Sequence, residues 1–175
     1  MISDHTHDHH TNLLKGLQSE DSLRVIETLE DLKVSGKASD VPMLIELLHM
    51  TQNAEIKSKI NSLFANLKER EAVPLIIEAI QNQKYAPERK ELLACCWENG
   101  LDYSNYLTLF VDLLIKSDFI IAFEAYTVIV NMTENIDQEK INTEIERLEQ
   151  AIQGTTDQKI ELMREVVDFL PSIGL

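Results

Sequence analysis

The chain has 175 residues, 44% of them hydrophobic, with sixteen basic and thirty acidic side chains and a formal net charge of −14. That is one domain's length with enough apolar surface for a core, which argues against wholesale disorder, while five Gly and four Pro are too few for the turns of a short-stranded sandwich or barrel. An acidic surface repels phosphate polyanions, whose affinity for proteins rests on Lys and Arg releasing condensed counterions, so general nucleic-acid binding is not expected.

The N-terminus, Met1-Ile2-Ser3-Asp4-His5, carries neither a basic region nor an apolar one, so no signal peptide is expected. No stretch approaches the roughly 18 consecutive apolar residues of a membrane helix, and the expected location is the cytoplasm with no membrane partner. Residues 1–10 read as a flexible tail holding four of the five histidines. His5, His7, His9 and His10, interleaved with Asp4 and Asp8, could chelate Zn, Ni or Cu. A tail outside packed helices has no neighbours to fix a ring's tautomer and geometry, so a plain solvated segment is the competing reading.

From residue 11 onward, read as a single domain over 11–175, apolar positions recur at helical spacing with short polar or Gly/Pro interruptions. Leu13, Leu14 and Leu17 precede Ser19-Glu20-Asp21, after which Leu23, Ile26, Leu29 and Leu32 restart the period. The figure returns from Val41-Pro42 to Leu67, and again from Val73-Pro74 through a turn near Lys84-Pro87 to Trp97. A fourth pair runs from Tyr106 to Met132 and a fifth from Ile141 to Leu170, with a turn at Gly154-Thr155-Thr156-Asp157. Pro42, Pro74 and Pro87 stand at helix starts, where the missing N–H costs nothing.

The last apolar residues of the first helices, Leu17, Leu48, Ile80, Leu114 and Ile152, are spaced by 31, 32, 34 and 38 residues. Self-similarity on that scale predicts stacked helical hairpins that cannot bury their apolar faces singly. Asn53-Ala54-Glu55-Ile56-Lys57-Ser58-Lys59-Ile60-Asn61-Ser62-Leu63-Phe64-Ala65-Asn66-Leu67 resembles the second helix of a HEAT repeat. Ala72-Val73-Pro74-Leu75-Ile76 is similar to the opening of the next one. The same frame takes in Lys90, Leu93, Cys96 and Trp97, then Ile121, Ala125, Val128, Ile129 and Met132, then Lys159, Met163, Val166, Val167 and Leu170, with Ala122 where the family has a basic residue. The resemblance implies an all-α fold, a right-handed α-solenoid of about five HEAT-like hairpins. It also implies a scaffold that holds partners on a concave surface made by the second helices.

Three local features qualify that reading. Residues 57–90 hold seven basic groups, Lys57, Lys59, Lys68, Arg70, Lys84, Arg89 and Lys90, against four acidic ones, a local +3 that leaves −17 on the remainder. This window is either ordinary solvated helix surface or a local anion-binding groove. Cys95 and Cys96 are helix neighbours whose side chains diverge by about 100°, which suits reduced core thiols in a reducing compartment. Around the junction Cys95 to Tyr106, Gly100 closes a helix by tolerating the left-handed conformation. Asp102 to Ser104 supply cap residues for the next. Trp97 and Tyr103 there are either core wedges or interface anchors.

The helix from Phe119 to Met132 is apolar on nearly every side, with Glu124, Thr127 and Asn131 as one polar stripe. It is either fully buried, or Phe123, Tyr126 and Val130 flank the stripe as an apolar patch beside Lys57 and Lys90, suited to a partner helix or extended peptide with acidic ends. No nucleophile elbow, phosphate-binding glycine loop, zinc-protease helix or Cys-x-x-Cys occurs, and no carboxylates are set in the contrasting environments an acid–base pair requires. The expected function is therefore non-catalytic and cofactor-free. It is binding of a protein or peptide through Lys57, Lys90, Trp97, Tyr103, Phe123, Glu124, Tyr126 and Val130. A metal-accessory role for the histidine tail and a helical-repeat nucleic-acid role are the alternatives.

Overall fold

The computed structural model describes residues 11–154 and 158–174. The histidine tail, residues 155–157 of the expected turn, and Leu175 lie outside them. Every regular element among the described residues is helical, so the fold is all-α. No helix among them is long and apolar enough to cross a membrane. The chain divides into two compact units, Met1–Glu88 and Arg89–Leu175.

The first unit holds α1 (residues 11–17), α2 (Ser22–Ser35), α3 (Val41–Met50), α4 (Ala54–Ala65) and α5 (Ala72–Gln81), with a 3-10 turn at Ala38–Asp40 and another at Gln83–Glu88 that carries Pro87. Asx residues start two of these helices: Asp21 Oδ1 accepts from Leu23 N at 3.0 Å, and Asn53 Oδ1 from Glu55 N at 2.9 Å and Ile56 N at 3.3 Å. Each satisfies helix-start N–H groups that have no intrahelical acceptor. Pro42 sits in the first turn of α3. The apolar positions of the periodic pattern become the core, with Leu29, Val41, Ile60, Phe64 and Ile76 sealed from solvent. α2 packs on α4, α3 on both α4 and α5, and Gly16 of α1 lies so close to α2 that a Cβ there would meet Thr28 Oγ1 at 2.2 Å.

The second unit holds α6 (Arg89–Glu98), α7 (Leu107–Lys116), α8 (Phe119–Val130), α9 (Gln138–Gln153) and α10 (Ile160–Phe169), with 3-10 turns at Ser104–Tyr106 and Leu170–Ile173. α8 packs against α6, α7 and α10, and α9 against α7 and α10, so α6, α8 and α10 form one layer and α7 and α9 the other. Asp118 caps α8 through Ile121 N and Asp137 caps α9 through Glu139 N, each at 3.0 Å. Gly100 has φ +69°, the expected left-handed closure after α6. The next α-helix starts later than the expected Asp102 to Ser104: Asp102 accepts from both the N–H and the hydroxyl of Ser104, a 3-10 turn follows, and α7 begins at Leu107. Buried Lys159 donates from Nζ to Ile115 O at 2.9 Å and Ser117 O at 2.7 Å, so a cation closes the negative end of α7. One backbone bridge, Ile136 N to Ile173 O at 2.8 Å, ties the segment before α9 to the last turn.

Candidate protein-docking face

α8 is neither fully buried nor uniformly open. Ala122, Ala125, Val128 and Ile129 face inward, whereas Phe119, Ile120 and Phe123 keep 40%, 58% and 46% of their surface in water. Two neighbouring helices flank a helix on two sides and α7 covers a third, which leaves one face without cover. The aromatic side chains on it form a ladder. Phe119 and Phe123 stack with centroids 6.4 Å apart and planes at 27°, and Phe123 meets Tyr126 at 6.1 Å and 37°. The (i, i+4) and (i, i+3) spacings bring these rings together on one helix surface.

Carboxylates pinned by aromatic donors border the ladder on both sides. Trp97 of α6, 37% exposed, donates from Nε1 to Glu124 Oε2 at 3.0 Å. The Tyr126 hydroxyl donates to Glu165 of α10, and that carboxylate, together with partial burial, pushes the phenol's pKa up. Glu98 on α6, and Glu161 and Asp168 on α10, are exposed. The exposed cations on these two helices are Arg89's neighbour Lys90 and Arg164, and Arg164 is bound to Glu161 at 2.7 Å. The rim is thus predominantly negative, and it favours a cationic occupant over one with acidic ends. Beside Trp97 lies a cavity of about 240 Å³, walled by Cys96, Tyr103, Val128 and Met132 among others.

The expected site residues divide accordingly. Trp97, Phe123, Glu124 and Tyr126 share this face, with Val130 half-buried at its end and Lys90 on the exposed side of α6, one turn before Ala94 and two before Trp97. Tyr103 does not join them. It is 2% exposed, stands edge-on to Phe110 with centroids 6.2 Å apart, and accepts at its hydroxyl from Asn99 Nδ2 at 3.0 Å. A tyrosine whose polar tip finds a partner inside is as stable in a core as at an interface, so Tyr103 belongs to the core. Lys57 is half-buried on α4 in the first unit. His5, His7, His9 and His10 fall outside the described residues, and among those described no cluster of three or more His, Cys, Asp or Glu is placed to hold a metal.

Phe119, Ile120 and Glu165 are the members of the face that sequence reasoning missed. The two apolar residues follow the Asp118 cap directly, in the first turn of α8, where neighbours reach a helix least. That position was the available signal. Glu165 is 39 residues from Tyr126, and only the packing of α10 on α8 brings them together.

No family model matches the chain, and no curated protein matches it. Among solved structures it is similar to the crystal structure of an engineered protein from the Northeast Structural Genomics Consortium. The similarity spans 93% of this chain and 79% of that one, at 18% identity and a TM-score of 0.49.

Proposed function

We propose that the chain is a non-catalytic interaction module, a HEAT-like array of helical hairpins acting in a reducing compartment, that seats a basic amphipathic segment of another protein along α8. The carrying observation is the ladder of exposed Phe119 and Phe123 with half-buried Tyr126, and exposed Ile120 beside it. Large apolar side chains grouped on one face of a monomer mark a binding surface more often than scattered exposure does. Apolar side chains at helical spacing in the partner would lie over the rings, one of them entering the cavity beside Trp97. Lysines or arginines on either flank would meet Glu124 and Glu165. Those two carboxylates are already held in place by Trp97 and Tyr126, so binding spends little side-chain entropy on the receptor side.

Trp97 is the chain's only tryptophan, so its fluorescence reads occupancy directly. In titrations with synthetic amphipathic helices of matched apolar face, cationic flanks should bind tightest and anionic flanks weakest, with affinity falling as salt rises. Phe123→Ala should weaken binding of the cationic peptide by about 1–3 kcal/mol at unchanged far-UV dichroism, because nearly half of that side chain is already in water. Equal binding of anionic and cationic peptides, or full affinity in Phe123→Ala, would refute the assignment.

A further inference from the structure

The first unit contains a second opening, unrelated to the aromatic face. A cavity of about 490 Å³ lies between the end of α2, the Ala38–Asp40 turn, the start of α3 and the last turn of α4. That volume is in the range of small-molecule clefts. Its floor is four leucines: Leu32 and Leu44 are buried, while Leu63 and Leu67 are half-exposed toward it.

Its polar lining holds two carboxylates and three ammonium groups. Both carboxylates are engaged by the main chain of the intervening turn: Asp40 Oδ2 accepts from Lys37 N at 2.8 Å and Glu69 Oε2 from Ala38 N at 2.5 Å. The helix-end carbonyls are engaged too, since Gly36 N donates to Leu32 O at 2.9 Å and Asn66 Nδ2 to Ser62 O at 2.8 Å. Three ammonium groups, those of Lys33, Lys37 and Lys68, stand on exposed residues of the lining. Lys33 shares Glu30 with Lys59 in a solvent-exposed pairing, and Lys37 has no ion pair among the described residues. In a molecule of charge −14, an apolar floor lined by three cations and two carboxylates, a local +1, is an inversion of sign. Lys68 also belongs to the basic window that the sequence left open as an anion-binding groove.

We propose that this cleft binds a single-chain anionic amphiphile, its alkyl chain on Leu32, Leu44, Leu63 and Leu67 and its carboxylate among Lys33, Lys37 and Lys68. The chain desolvates against leucine, and the head group meets flexible cations at the mouth without having to be buried. A neutral or cationic head on the same chain gains only the first of these.

The full chain is titrated below the micellar range with decanoate, decanol and decyltrimethylammonium, followed by calorimetry and by leucine methyl resonances. Decanoate should bind at one site per chain and shift the Leu63 and Leu67 methyls, with the cationic analogue weakest. Lys37→Gln should weaken decanoate about threefold, and Leu63→Ser about tenfold, at unchanged helicity. Equal binding of the three head groups, or decanoate affinity unmoved by both variants, overturns the proposal. Trp97 fluorescence should stay constant during the decanoate titration; a change locates the amphiphile on the α8 face and also counts against it. Co-sedimentation with phosphatidylglycerol vesicles without saturable decanoate binding would assign the lysines to a membrane surface instead. Peptide titration of the aromatic face is read separately, so either assignment can fail alone.

Discussion

Gly100 adopts φ +69°, the only positive φ among the described residues. A Cβ built there meets nothing within 4 Å, so substitution costs backbone strain and no steric clash. Gly100→Ala should therefore lower stability by about 1–2 kcal/mol, seen as a drop in the denaturation midpoint at constant slope. Glu30 is a second residue with a measurable signature. Hydrogen bonds from Lys33 and Lys59 pull its carboxyl down to about 2 from an ordinary 4.5. A depressed carboxyl stabilises the folded state above its unfolded pKa and loses that contribution as pH falls through the folded one, here between about 4.5 and 2. Glu30→Gln should flatten the fall of Tm over that window and leave the slope above pH 6 unchanged. Glycine's turn was legible in the sequence because one residue type tolerates that conformation. Tyr103 was not, because an amphipathic ring satisfies its hydroxyl equally well on Asn99 or in a partner.

At the scale of helices, α7 and α9 are joined by a polar network with one deeply buried member. Glu144 accepts from Thr108 Oγ1 at 2.6 Å and from Arg147 Nη1 at 2.5 Å, and Arg147 also binds Asp112, which Lys116 reaches at 2.9 Å. Burial pushes the Asp112 carboxyl up, but the hydrogen bonds from Lys116 and Arg147 outweigh it and hold it below its ordinary value. Removing Arg147 strands the Glu144 carboxylate, only 3% exposed, with a neutral hydroxyl. Arg147→Ala should cost about 2–3 kcal/mol, near the low end for breaking a buried pair because the guanidinium itself is partly in water. Arg147→Ala combined with Glu144→Gln should recover part of that loss, which a double-mutant cycle in denaturant measures. Helix positions were readable from the 3.6-residue period, since tertiary packing selects that period directly. The partners of Glu144, Glu124 and Glu165 were not, because surface carboxylates look alike until a neighbouring helix selects one.

For the molecule as a whole, thirty acidic groups against sixteen basic ones make self-repulsion the leading long-range term. Local pairs such as Lys84 with Glu46 are exposed and worth little. Raising salt to about 0.15 M, where screening acts over roughly 8 Å, should therefore raise Tm rather than lower it; a decrease would show that the exposed pairs dominate. The division at Glu88 was invisible in the repeat pattern, which reads Lys84-Pro87 as the turn inside one hairpin, because periodicity records helices and not which of them group into a compact unit. The tie between Ile136 N and Ile173 O works on another principle. Both of its atoms are main-chain, so among side-chain replacements only proline at 136, which lacks the N–H, deletes it directly. Even at Gly174 an added methyl would press mainly on the movable amide of Gln138. The fastening of the final turn thus hangs on two backbone atoms and not on a side-chain contact, and drift among apolar residues that keep the N–H at 136 can proceed without undoing it.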